Sequence, residues 1–138
     1  MNYFKVVSDI VRSEIQNLVN EGRLVSGLNL GRVGVETTRD PAHGDLASNA
    51  AMVLAKPAKT NPKELGQLIV DRLAKRSEFE VVSLAGPGFI NLKLVPKFWT
   101  QLLPRVLERG PEYGDCDLGS GATVNLEYVS ANPTGPMH

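Results

Sequence analysis

FEVVSLAGPGFINLKLV, residues 79–95, decides the fold. Phe79–Leu84 and Phe89–Val95 carry the β-branched and aromatic residues that suit a pleated surface. Ala85, Gly86, Pro87 and Gly88 between them form a turn. Two such runs around a Gly and Pro turn predict an antiparallel pair. Helical patterns stand on either side of it, not in repeated strand–helix–strand units, so the fold class expected is α+β, a small antiparallel sheet packed with helices.

Outward from this hairpin, Phe4, Val7, Ile10, Val11, Ile15, Leu18 and Val19 recur at helical spacing, with Gly22 as a stop. Val33–Thr38 alternates around Gly34 as a short strand, and a polar turn follows at residues 39–44. Asp45 is expected to cap a helix running to Lys56, where Pro57 ends it. The next helix has Asn61 as cap, Pro62 at its first position and Glu64 to close a capping box, and it buries Leu65, Leu68, Ile69 and Leu73. Pro96 opens a last helix that Pro104 should kink, because proline removes one backbone hydrogen bond. Residues 110–121, GPEYGDCDLGSG, are acidic and glycine-rich and read as a connector. Thr123–Val129 alternates again and predicts one more strand. The expected organisation is a first domain at 1–109, a linker at 110–121 and the start of a second domain at 122–138.

With 138 residues, 42% of them hydrophobic, the chain can build the core of one compact domain. Lys plus Arg and Asp plus Glu both number 15, so total charge points to no partner. Its distribution is uneven. Lys56, Lys59, Lys63, Arg72, Lys75 and Arg76 face only Glu64 and Asp71 within their stretch. That is either a solvated helix surface or a surface for a phosphate backbone. The single Cys116 excludes an internal disulfide and a cysteine metal cage, and its acidic loop offers no cation to activate a thiolate. No metal site is expected. The first fifteen residues break their apolar positions with charge, unlike a signal peptide or membrane span, so a soluble cytoplasmic protein is expected.

In FINLKLV, alternation puts Ile90, Leu92 and Leu94 on one face and Phe89, Asn91, Lys93 and Val95 on the other. The first face is core. On the second, Phe89 either packs under a helix, or it stacks on an unpaired base whose edge meets Asn91 and whose phosphate meets Lys93. His43 precedes a helix cap without a second histidine or cysteine nearby and is expected to be structural.

The stretch VNLEYVSANPTGPMH, residues 124–138, runs from a strand into a stiff turn that would present Asn132, Thr134 and His138. Strand ends of this kind bind nucleotides in parallel α/β sheets, and a histidine there can donate to phosphate oxygens. EYVSANPTGPMH closely resembles the opening of the catalytic domain of arginyl-tRNA synthetases, class I enzymes with a HIGH nucleotide-binding signature. PAHGDLASNAAMVLAK and LAGPGFINLKL resemble two stretches of that family's amino-terminal additional domain.

The resemblance implies that residues 1–109 are a tRNA D-loop-binding domain and 122–138 the first strand of a truncated Rossmann-like catalytic domain. It assigns Glu127, Ser130 and Asn132 to the substrate arginine. Pro133, Thr134, Gly135, Pro136, Met137 and His138 fall to the ATP signature, with His138 catalytic, and Met137 stands where the family often has Leu. Phe89, Asn91 and Lys93 fall to tRNA. ATP would be a substrate, with Mg2+, no prosthetic group would be bound, and the partners would be tRNA(Arg), arginine and ATP, without a membrane, on a monomer. The signature breaks off at its first histidine, so the chain is expected to be a fragment of an arginine–tRNA ligase, inactive alone. Two alternatives are an independent RNA-binding or protein-interaction module and another HIGH-type nucleotidyl transferase.

Overall fold

The computed structural model describes residues 2–38, 40–117, 119–130 and Gly135. Helix α1 spans Tyr3–Asn20. Asn2 caps it, accepting from the Lys5 N–H at 3.3 Å, and its buried stripe is Val7, Val11, Ile15 and Leu18. A 3-10 turn at Leu30–Arg32 leads into strand β1, Val35–Thr37. Another at Pro41–His43 leads into β2, Leu46–Ser48. Helix α2 follows at Ala50–Leu54 and α3 at Pro62–Leu73. Asn61 caps α3 through the Lys63 N–H at 2.8 Å, with Pro62 in the first turn. Strands β3, Phe79–Ala85, and β4, Phe89–Leu94, form the expected hairpin.

The sheet has the order β1-β2-β4-β3, with every neighbour antiparallel. Its inner face supplies Leu46, Ile90, Leu92 and Leu94, all buried against α1, α2 and α3. Burial on this scale is the main stabilising term for a domain of this size. On β3, Phe79 and Val82 both turn inward although they lie three apart, because the register slips between Phe79 and Val81. A bulge of this kind spends one residue without pairing it; here that residue is Glu80, whose carboxylate meets Lys93 Nζ at 3.1 Å.

Helix α1 is tied to α3 by charge as well. Glu14, nearly buried, receives Arg72 Nε and Arg76 Nη1, each at 3.4 Å. Arg72 also reaches Glu21 at 2.9 Å and Arg76 reaches Glu78 at 2.7 Å.

Three expectations need correction. Leu46–Ser48 is a strand, not the first turn of a helix. Asp45 caps nothing helical: its carboxylate accepts the Leu94 N–H at 2.8 Å and its own N–H donates to Leu92 O at 2.9 Å. Both Leu46 and Ser48 are buried, an alternation that serves a sheet centre, and Ser48 Oγ then accepts the Ala50 N–H as the chain turns into α2. The last helix is two pieces, α4 at Pro96–Thr100 and α5 at Leu103–Arg109, with Pro104 in the first turn of the second. The kink expected at Pro104 is thus a full break. Finally, Thr123–Val129 forms no strand. Val124, Leu126 and Tyr128 are exposed. Alternation sets the faces of a strand, but a ladder needs a neighbour, and β1 and β3 keep their outer edges unpaired by this segment. Residues 110–121 begin with a 3-10 turn at Gly110–Gly114, and the described residues beyond it are exposed turn or irregular chain.

Candidate nucleic-acid interface

The sheet's outer face carries a different row. Register sets Glu36 opposite Ala47, Ala47 opposite Asn91 and Asn91 opposite Ser83. Ala47 is small, and the space its side chain does not fill becomes a groove of about 510 Å³. Phe89, Asn91 and Ala47 line it from the sheet, with Glu36, Thr37 and His43 around them. A second hollow of about 150 Å³ shares Asn91 and His43 and continues toward Ser83 and Lys93. Asn91 lies where the two meet.

The turn at residues 41–44 closes one side. Gly44 holds φ +93°, and a Cβ there would stand 2.8 Å from Leu92 O, so only glycine lets this turn lie against β4. Thr38 Oγ1 donates to Gly44 O at 2.5 Å and Asp45 bonds both ways to β4, which fixes His43 at the rim. Sequence reasoning gave His43 a structural place. The structure puts it, exposed, beside Asn91.

Phe89 is half-buried and stands outside the core cluster. Asn91 is 9% exposed, yet its carboxamide makes no hydrogen bond within the described residues. Its polar atoms are not shut off from solvent: they open into the groove and are free to meet a ligand. A flat ring beside a solvent-facing donor and acceptor matches what an unpaired base needs, a surface to stack on and an edge partner. Lys93 is exposed one position further, engaged with Glu80.

Residues 5–94, the stretch that builds this sheet and groove, match the profile of the arginyl tRNA synthetase N terminal domain. The chain belongs to the arginyl-tRNA synthetase family. It is 53% identical over all its 138 residues to an arginine–tRNA ligase of Parvibaculum lavamentivorans and 49% identical to one of Rhodospirillum rubrum. The whole chain is covered in both, but only 24% and 23% of those relatives, so it spans about a quarter of their length.

Three other residues that the synthetase resemblance singled out fall among the described residues and are not gathered into a site. Glu127 and Ser130 are exposed in chain without regular structure, as is Gly135. Asn132, Pro133, Thr134, Pro136, Met137 and His138 lie outside the described residues. Among the described residues of this synthetase chain, no group of three or more His, Cys, Asp or Glu is placed to hold a metal ion, and no helix is long and apolar enough to cross a membrane. What sequence reasoning missed is the far wall of the groove, Glu36, Thr37 and Ala47. The alternation of Leu46, Ala47 and Ser48 was its only signal, and three residues beside a helix are too few to stand out.

Proposed function

We propose that this chain is the tRNA-reading amino-terminal part of an arginine–tRNA ligase, and that the outer face of its sheet takes an unpaired base from the D-loop at the tRNA elbow. The observation that carries it is the Asn91 carboxamide, open to the groove and without a hydrogen bond among the described residues, beside the half-buried Phe89 ring. The base stacks on Phe89 and offers its edge to Asn91, and Lys93 adds a cation already shared with Glu80.

The complete protein activates arginine with ATP as arginyl-adenylate, releasing pyrophosphate, and transfers the arginyl group to tRNA(Arg). Within it Glu127 pairs with the positive end of arginine, Ser130 and Asn132 hydrogen-bond the amino acid, and residues 133–138 with His138 meet ATP and its Mg2+. The protein works as a cytoplasmic monomer, and the chain alone does not form adenylate.

Titration of the chain with tRNA(Arg) tests this. Phe89→Ala is expected to cost roughly 1–3 kcal/mol of binding, the range for one lost base stack, with little change in melting temperature because the ring lies outside the core. Asn91→Ala should cost less affinity while reducing discrimination at the stacked base. A large fall in melting temperature with unchanged tRNA binding would refute the assignment.

A further inference from the structure

The basic stretch from Lys56 to Arg76 separates in the structure into two kinds of cation. Arg72 and Arg76 are spent on Glu14, Glu21 and Glu78. Lys56, Lys59 and Lys63 are all exposed and have no ion-pair partner among the described residues. The nearest acid in sequence, Glu64, receives the Thr60 hydroxyl at 3.4 Å. These three lysines sit on the turn between α2 and α3 and on the first turn of α3.

That turn adjoins the candidate base site. A Cβ built on Gly88 would stand 3.2 Å from Pro62 Cβ and 3.3 Å from Met52 Cγ, so the β3–β4 turn rests on the start of α3. Phe89 follows Gly88 directly, and Lys63 follows Pro62. Lys59 holds φ +54°, a conformation glycine would adopt without strain, yet a lysine occupies it. Lys75, also exposed and without a partner, lies at the other end of α3, roughly 18 Å away at 1.5 Å per residue.

We propose that Lys56, Lys59 and Lys63 hold the sugar-phosphate backbone flanking the base that stacks on Phe89, and that this trio, rather than Lys93, supplies most of the electrostatic attraction for tRNA. The inference rests on the base-reading role given to Phe89 and Asn91. It adds where the strand leaves the groove: over the hairpin turn and onto the α2–α3 turn. Lys93 faces Glu80 across the bulge, so a phosphate there would have to compete with a carboxylate.

The test is the salt dependence of tRNA(Arg) binding by the chain. Each neutralised phosphate contributes about 0.7–0.9 to the slope of log K against log salt. Replacing Lys56, Lys59 and Lys63 together by Gln should therefore flatten the slope by roughly 2 to 3, with an unchanged thermal melt. Lys75→Gln should leave the slope as it is, and Lys93→Gln should change it less than any single member of the trio. An unchanged slope in the triple variant, with Phe89→Ala still weakening binding, would overturn the proposal and leave the base site standing. A slope that Lys75→Gln flattens as much as a trio lysine would also overturn it, because the attraction would then be spread over the whole surface. If Phe89→Ala is silent while the triple variant flattens the slope, the lysine surface stands and the base-reading role falls.

Discussion

Gly44 and Asn91 illustrate how single residues shape the site from opposite directions. Asn91 contributes a side chain with no hydrogen-bond partner among the described residues, whereas Gly44 contributes the lack of one. With φ +93° and Leu92 O 2.8 Å from where a Cβ would sit, Gly44→Ala meets both backbone strain and a clash with β4. Strain at one such residue is worth about 1–3 kcal/mol. The variant is expected to melt several degrees lower, and its tRNA affinity should fall too, since the turn carrying His43 must lift from the groove. A melt and a titration on one sample check this; an unaltered melt would mean that the turn can retreat from β4 freely.

At the scale of elements, the break between α4 and α5 has a local cause. Gln101 and Leu102 already hold right-handed helical angles, φ −68° with ψ −16° and φ −80° with ψ −28°. What is missing is the N–H of residue 104, which in a continuous helix would donate to Thr100 O. Pro104→Ala is expected to join the two pieces and raise the helical signal in circular dichroism by a few residues' worth. No gain would show that the packing of half-buried Leu102 holds the break instead. The elements that could be read from sequence share one property: their signals are long and local. The hairpin shows itself in two β-rich runs, 79–84 and 89–95, around one turn, and α1 and α3 repeat their apolar positions over several turns. Phe89 and Asn91 were legible because one strand's alternation is enough to pair them on a face. β2 was not, because Leu46–Ser48 becomes a strand only by pairing with β4, 46 positions away at Leu46 and Leu92. The alanines that follow extend a helical pattern back over it. Thr123–Val129 fails in the reverse way, having the pattern of a strand and no ladder.

For the molecule as a whole, the charges between α1, α3 and the start of β3 make stability depend on acidity. Burial works against ionised Glu78, but hydrogen bonds from Arg76 and from its own backbone N–H, with the charge of Arg76, outweigh it and hold the carboxyl below 4.5. Arg76 is raised in turn, first by its hydrogen bond to Glu78. A depressed carboxyl stabilises the fold above its unfolded value, near 4.5, and that contribution disappears as pH falls through the folded value. Glu78→Gln should therefore melt below wild type at pH 7, and the two melting temperatures should converge as the pH falls through the lowered folded value of Glu78. A gap that persists in strong acid would mean that Glu78 acts by shape and not by charge. The strand order β1-β2-β4-β3 also bears on how fast the chain reaches this structure. β3 and β4 can meet through one short turn, but β2 must find β4 across α2, α3 and the hairpin's first strand, and closing a longer loop costs more chain entropy. We expect the hairpin and α3 to form the folding nucleus, with β2 docking after the barrier. In a chevron experiment, Leu84→Ala, which removes the hairpin's contact with Gly66 of α3, should slow refolding. Ser48→Ala, which loses the bond to Gly34 O, should mainly hasten unfolding. The opposite pattern would make the long-range closure of β2 the step that commits the chain to fold.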